Sequence, residues 1–388
     1  MNRRLTKIYS ILVLSYYHPW VAGGGHRPRR LMTQDLLRNH EVCFLFIDDN
    51  VQFREIAKQL SQEPNSAKLH VARTLSGEEM VFENSSLRWQ GILSVDALLS
   101  EFSPDIIRVH NPSEHHINMA RKGQETSAIL LYDQMDLWDE FTSQPWGCTG
   151  EKWYLDNADF ISTVSNYLAN RQTRCNIEVI PNGVSASFIT ACAERRRAKQ
   201  LRPDFDIVYA GALWPDWLDW KLVEFLVENT PSTQWCFVGS VVPPVNEDHC
   251  TEAISILERL GSQSNVTVLN EVDHFNLVDI LVNSRIGLVP FQINPLTLAA
   301  SPIKIYDYLA ANLTVICFNT SEFVGVEKVI LCSTPSEYLF AIEATLSSNH
   351  GSSEDSLRQW LEFNTWEQRI EQMEQFVTSQ LVIQGDEI

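Results

Sequence analysis

Val42-Cys43-Phe44-Leu45-Phe46-Ile47 is apolar at every position. A strand with one face in water alternates polar and apolar side chains, so an unbroken run of this length reads as a strand covered on both faces. Working outward, comparable short runs occupy residues 8–14, 106–110, 128–132, 160–164 and 177–180. Helical or irregular segments of ten residues or more separate many of them, the pattern of β-α-β units in a parallel sheet. After a basic stretch, Glu194-Arg195-Arg196-Arg197 with Lys199 and Arg202, the pattern restarts with runs at 206–210, 235–239, 266–269, 286–290, 314–317 and 328–331.

The chain has 388 residues, more than the roughly 250–300 that one core supports. An α/β architecture of two Rossmann-like, doubly wound parallel-sheet domains is therefore expected. Its divisions are 1–190, a solvated linker at 191–205, 206–355, and a tail at 356–388. In the tail, Thr365 with Gln368 makes a capping-box pattern, and Trp366, Ile370, Met373 and Val377 follow at helical spacing. That apolar stripe needs a surface, and the first domain is the expected one.

Composition narrows the partners. Lys and Arg number 30 against 49 Asp and Glu, a net charge of -19, which argues against nucleic acid. The same balance weakens docking to anionic lipid, while a local patch on the first domain leaves room for peripheral contact with the inner face of a membrane. No stretch approaches the ~20 apolar residues of a membrane span, and the run at 8–14 is too short and interrupted for a signal peptide. A cytoplasmic location is expected. The eight cysteines stand singly, with no C-x-x-C and no Cys/His cluster, so no metal site is expected.

Open α/β sheets bind ligands beyond the carboxyl ends of their strands. After the first strand comes His18-Pro19-Trp20-Val21-Ala22-Gly23-Gly24-Gly25-His26-Arg27-Pro28-Arg29. Gly24 and Gly25 would let backbone N–H groups approach a ligand, and Arg27 and Arg29 fall at a helix start, where a cation is unfavourable unless an anion is bound. A flexible turn is the plain alternative. The second candidate is Ala299-Ala300-Ser301-Pro302-Ile303-Lys304-Ile305-Tyr306-Asp307-Tyr308-Leu309-Ala310-Ala311-Asn312. Ser301 suits an N-cap, Pro302 the first helical position, and Asn312 the left-handed residue that ends a helix. Lys304 then lies in the first turn, where a bound diphosphate would make its charge favourable, and Asp307 lies one turn deeper on the same face, placed to accept from a ribose. The alternative is an ordinary surface Lys–Asp pair.

These residues resemble the GT-B glycosyltransferases, in particular the family 4-like group and the branch of the xanthan glucuronosyltransferase type. The resemblance spans nearly the whole chain: the glycine loop at Gly23 to Arg27, Asn157 to Leu168, Ile177-Glu178-Val179-Ile180-Pro181-Asn182-Gly183-Val184, Tyr209-Ala210-Gly211-Ala212-Leu213, and Pro302 to Ala310. It implies a nucleotide-sugar donor such as a UDP-sugar in the second domain, a hydroxyl acceptor in the first, and neither cofactor nor metal. Gly211 with Ala212 would lie near the donor phosphates, Lys304 on the diphosphate and Asp307 on the ribose, with Ser301, Pro302 and Tyr306 completing the donor-binding set. Family 4 enzymes commonly carry two glutamates in this region, and the first position falls here on Ala299.

Beyond the strand at 128–132, Asp133 and Asp136 are candidate general bases for an inverting transfer, with helix capping as the alternative for either. His110 and Asn111, ending the preceding strand, are candidate acceptor contacts. The expected reaction is sugar transfer in the making of a polysaccharide, a glycolipid or a glycosylated metabolite. A nucleotide-sugar epimerase of the same fold and a non-catalytic partner subunit are the competing readings.

Overall fold

The computed structural model describes residues 7–20, 27–47, 58–75, 79–82, 91–140, 148–174, 176–198, 203–213, 215, 217–240, 251–348 and 354–385. Each of the apolar runs becomes a strand. In the first sheet these are β1 (Ser10–Leu14), β2 (Glu41–Phe46), β6 (Ile106–Val109), β7 (Ile129–Gln134), β8 (Phe160–Thr163) and β9 (Ile177–Val179). Three further strands are not evident from the apolar pattern: β3 (Leu69–Leu75), β4 (Glu79–Phe82) and β5 (Gly91–Ser94). The sheet order is β5-β4-β3-β2-β1-β6-β7-β8-β9, with β4 paired antiparallel to both β3 and β5 in an otherwise parallel sheet. β3 is hidden because it buries polar residues that satisfy one another across elements. His70 Nε2 meets Glu41 Oε1 at 2.9 Å, and Thr74 Oγ1 meets His116 Nε2 at 3.0 Å.

The second sheet is parallel throughout, in the order β12-β11-β10-β13-β14-β15. Its strands are β10 (Phe205–Ala210), β11 (Trp235–Val238), β12 (Val266–Leu269), β13 (Ser284–Val289), β14 (Thr314–Phe318) and β15 (Val329–Cys332). Residues 235–238 and 315–318 are buried at every position, as a sheet with covered faces requires. Five of the cysteines, among them Cys43, Cys236 and Cys317, are free and buried in these cores. Among the described residues no helix is long and apolar enough to cross a membrane.

Contacts divide the chain into two compact units, Met1–Pro181 with Arg369–Ile388, and Asn182–Gln368. The division therefore falls at Pro181–Asn182, before residue 190. Of the basic stretch, Lys199 and Arg202 lie outside the described residues, and Glu194 to Arg197 lie in helix α3 (Ala186–Ala198), which buries Phe188 and Cys192 in the core of the second unit. Its arginines stay outside, and Arg195 pairs with Asp279 of helix α4 (His274–Val282). A solvated charge run and the polar face of a packed helix look alike in composition.

The tail forms helix α6 (Trp366–Gly385), begun by Thr365, whose Oγ1 accepts from Gln368 N at 3.3 Å. From Arg369 on, this helix belongs to the first unit. Met373 and Val377 are buried, and the Phe376 ring meets Phe160 edge-on. Glu374 anchors it by accepting from Arg38 Nη1 at 3.0 Å and bonding His40 Nε2 at 2.9 Å. The His40 tautomer follows from its other nitrogen: Nδ1 accepts from Tyr9 N at 3.1 Å, so Nε2 carries the proton and donates to Glu374. Replacing Glu374 leaves two donors without their acceptor. Glu374→Ala is expected to cost about 1–3 kcal/mol of stability and to expose the tail to limited proteolysis ahead of the rest of the first unit.

Candidate functional site

Each sheet has a point where strand order reverses, and there the loops at the carboxyl ends part and leave room for a ligand. In the first sheet this is the junction of β1 and β6, and in the second that of β10 and β13. The candidates gather at these two places, with different outcomes.

In the first unit the sequence candidates largely neutralise one another. Helix α1 (Arg27–Leu37) begins at Arg27, which is 3% exposed. Its Nε donates to Asp133 Oδ2 at 2.7 Å and its Nη2 to Asp133 Oδ1 at 2.9 Å, a bidentate pair, while Nη1 donates to the Pro181 carbonyl at 3.2 Å. Asp133 also accepts from Ser162 Oγ at 2.6 Å and bonds His110 Nδ1 at 2.9 Å. The carboxyl group lies inside β7 and is wholly buried. Burial alone would raise its pKa, but the Arg27 charge and the His110 bond outweigh this and hold it far below the usual carboxylate range.

The expected roles of Asp133 and Arg27 are therefore corrected. Asp133 stays ionised and saturated with donors, so it is no proton acceptor. Arg27 needs no bound anion at the helix start, because Asp133 supplies the negative charge. Arg29 is likewise answered, by Glu63 at 3.2 Å, a carboxylate that also accepts from Trp20 Nε1 and Thr33 Oγ1. His110 and Asn111 are 0% and 1% exposed, which corrects their reading as acceptor contacts. Asn111 Oδ1 accepts from Ser15 Oγ at 2.8 Å and from Tyr16 N at 3.2 Å, tying the end of β1 to the end of β6. His110 is kept neutral by burial and the nearby arginines against the pull of Asp133, so its Nδ1–H donates to the carboxylate. Gly24 and Gly25 lie outside the described residues.

Asp136 differs. Side chains of β7 alternate: Asp133 points to the Arg27–His110 cluster, while Tyr132 Oη and Gln134 Nε2 both donate to Glu151 Oε1 at 2.8 Å. Glu151 opens helix α2 (Glu151–Asn157). Asp136, past the end of the strand and half-buried, is pushed up to about 7, first by burial and then by the Glu151 charge. It is a carboxyl group that takes up and gives up a proton near neutrality. Glu151 is not legible in the sequence, because nothing local links it to β7.

The second unit leaves a cation in place. Helix α5 (Ile303–Ala310) ends at Asn312, left-handed at φ 66° as expected. Its beginning departs from expectation. Pro302, not Ser301, occupies the cap position, with φ -63° and ψ 112°, and no side chain caps the helix. The Lys304 amine lies 4.7 Å from the centre of the Phe291 ring and 5.3 Å from that of Tyr209, in an aromatic socket. Burial brings its pKa down to about 8, against the opposing pull of Asp307.

Beside the amine runs the loop after β10, where a Cβ on Gly211 would stand 3.1 Å from Lys304 Cε. Gly211 has φ 136° and Gly239, after β11, has φ 150°; a Cβ on Gly239 would lie 2.0 Å from the Gly211 carbonyl oxygen. Only glycine satisfies both demands. Two tyrosines fix this loop, Tyr209 Oη donating to Ala212 O and Tyr308 Oη accepting from Ala210 N, each at 2.7 Å. Gly211 and Ala212 are exposed, and Asp307 is 9% exposed. Sequence reading misses Phe291, Tyr209 and Tyr308, since aromatic residues at strand ends and on a helix pass for core.

Tyr306, Ser301 and Pro302, three members of the expected donor set, are buried. Tyr306 is 3% exposed, stacked on Trp360 and edge-on to Phe323. Ser301 is 3% exposed, and its polar groups are engaged by Asn182. Pro302 is buried with it. Ala299, at the position of the family's first glutamate, is wholly buried.

No protein-family model matches the sequence, and a search of curated proteins finds no match. Solved structures do resemble it. A glycosyltransferase from Rickettsia africae ESF-5 has a TM-score of 0.66 at 11% identity, over 95% of this chain and 98% of that one. Anabaena HepE, solved in complex with UDP and glucose, has a TM-score of 0.61 at 14% identity, over 98% and 100%. The UDP-GlcNAc 2-epimerase of Methanocaldococcus jannaschii has a TM-score of 0.52 at 11% identity, over 95% and 99%. The fold is that of the GT-B proteins, two Rossmann-like domains.

Asp133 is enclosed by four donor bonds, and Asp136 is half-buried past the end of the strand. Asp133→Ala strands the Arg27 charge in the interior and is expected to cost about 3–5 kcal/mol in calorimetric unfolding, whereas Asp136→Ala is expected to leave the melting temperature nearly unchanged. Because the Asp133 pKa is depressed in the folded state, its contribution is present above the ordinary carboxylate pKa of about 4 and is lost as the solution is acidified below it.

Proposed function

We propose that the chain is a glycosyltransferase that moves a sugar from a nucleotide-diphosphate sugar to a hydroxyl acceptor, with the donor bound by the second unit. One observation carries this reading: the Lys304 amine stands in the first turn of an uncapped helix beside the exposed Gly211 loop, at the strand-order reversal of its sheet. An anion there meets helix N–H groups, a fixed cation and a backbone that approaches closely. As the bond from the anomeric carbon to the diphosphate breaks, the acceptor oxygen takes its place, and Lys304 with the helix start balances the charge of the leaving group. Asp136 is the group suited to take the acceptor proton.

The sequence motifs support membership in the family 4-like group and its branch of the xanthan glucuronosyltransferase type. UDP in the HepE structure supports a uridine nucleotide. The product is a polysaccharide, glycolipid or glycosylated metabolite. Metal independence belongs to the same proposal, in which Lys304 and the helix start balance the charge of the leaving group.

A thermal-shift screen of nucleotide sugars tests the class, since a ligand that binds the folded state alone raises the melting temperature with concentration. Lys304→Ala is expected to lower kcat/KM for the donor by roughly 100-fold, with turnover of the parent enzyme unaffected by EDTA. Unchanged donor kinetics in this variant would refute the phosphate assignment.

In kcat/KM the pH profile is expected to be bell-shaped. Activity rises as Asp136 loses its proton near 7 and falls as Lys304 loses its own near 8. Asp136→Asn removes the rising limb. The resemblance to the 2-epimerase keeps one rival reading, and incubation with the nucleotide sugar alone decides it, because an epimerase converts the sugar without an acceptor.

A further inference from the structure

The transfer reaction proposed above assigns no task to Ile180-Pro181-Asn182-Gly183-Val184. Its placement nevertheless explains why the Ser301-Pro302 cap is not used. Pro302 already has a helical φ, and only its ψ of 112° keeps it out of α5. Were ψ to turn helical, Pro302 would become the first helical residue, and the Ser301 hydroxyl would be placed to accept from the Lys304 N–H.

Asn182 opposes that turn at two points. Its side-chain Nδ2 donates to the Ser301 carbonyl at 2.7 Å, and its backbone N–H donates to Ser301 Oγ at 3.3 Å. The Ser301 hydroxyl also lies 3.3 Å from that of Tyr306. Asn182 is 9% and Ser301 3% exposed, so little water competes. Asn182 is in turn fixed by its neighbours Gly183 and Val184. Val184 donates to Asn364 O and accepts from Trp366 N, both at 3.0 Å, and a Cβ on Gly183 would stand 2.8 Å from that Asn364 oxygen. Turning Pro302 into the helix would withdraw the Ser301 carbonyl from a firmly mounted donor.

We propose that Asn182 is a positioning residue that holds Ser301 out of the capping role and so keeps the first turn of α5 open to an anionic ligand. The ligand part rests on the reading of the second unit as the donor-binding one. The structural part stands by itself: the helix start is uncapped because its natural cap is bonded elsewhere.

The test uses the full chain with Asn182→Ala, and Asn182→Asp, which keeps the shape and loses the Nδ2 donor, in case the alanine variant does not fold. By NMR hydrogen exchange without ligand, the Lys304 amide is expected to exchange about fivefold more slowly in either variant, as Ser301 caps the helix. Titrated with UDP and with inorganic pyrophosphate, the variants are expected to bind about fivefold more weakly. Adding Ser301→Ala removes the competing hydroxyl and is expected to restore most of that loss. Unchanged or faster exchange at Lys304, or affinity that stays low after Ser301→Ala, overturns the proposal in favour of simple loosening. If the parent protein binds none of UDP, GDP, ADP and pyrophosphate, the donor reading and the ligand part of the proposal fail together, while the exchange result still decides whether Asn182 withholds the cap.

Discussion

A carboxylate removed from water must be matched group by group, and Asp133 is the point at which the first unit meets that demand. Arg27 is held against it in two bonds, His110 in one and Ser162 in one, and these partners come from α1, the end of β6 and β8. Four elements of the first unit thus converge on one buried charge. A second buried pair, Arg108 with Asp35 at 2.7 Å, repeats the device between β6 and α1. Such pairs contribute little net stability over an apolar core, but losing one partner is costly, so they fix the arrangement more than they strengthen it.

The two units use their charges differently at equivalent places. At the reversal of the first sheet the positive charge of Arg27 is cancelled internally. At the reversal of the second, Lys304 rests on the faces of Phe291 and Tyr209, an attraction weaker than an ion pair and easily exchanged for one. In the proposed reaction the cation of the second unit is accordingly the one assigned to the donor phosphates.

Most of the framework is legible because apolar runs such as residues 42–47 and 314–317 have few other uses. β3 is not, since His70, Arg73 and Thr74 break its pattern, and their satisfaction depends on partners distant in sequence. The site divides along the same line. Lys304 can be read from local helix grammar, and Asn312 obeys that grammar at the other end of the helix. Ser301 misleads, because a local preference for capping loses to two bonds from Asn182. Arg27 misleads for the complementary reason: an unfavourable cation at a helix start suggests a missing ligand, and the anion that answers it is Asp133, 106 positions away.

The return of α6 also bears on how the chain is made. Glu374, which bonds Arg38 and His40, leaves the ribosome only after the whole second unit has been synthesised. Until then the first unit lacks the helix that covers its surface near Phe160, and part of its apolar core stays open to other chains. Its last contacts are also its most distant in sequence, so closure of the first unit is a late and slow step. The order of synthesis and the order of completion are therefore reversed: the unit that begins first is finished last.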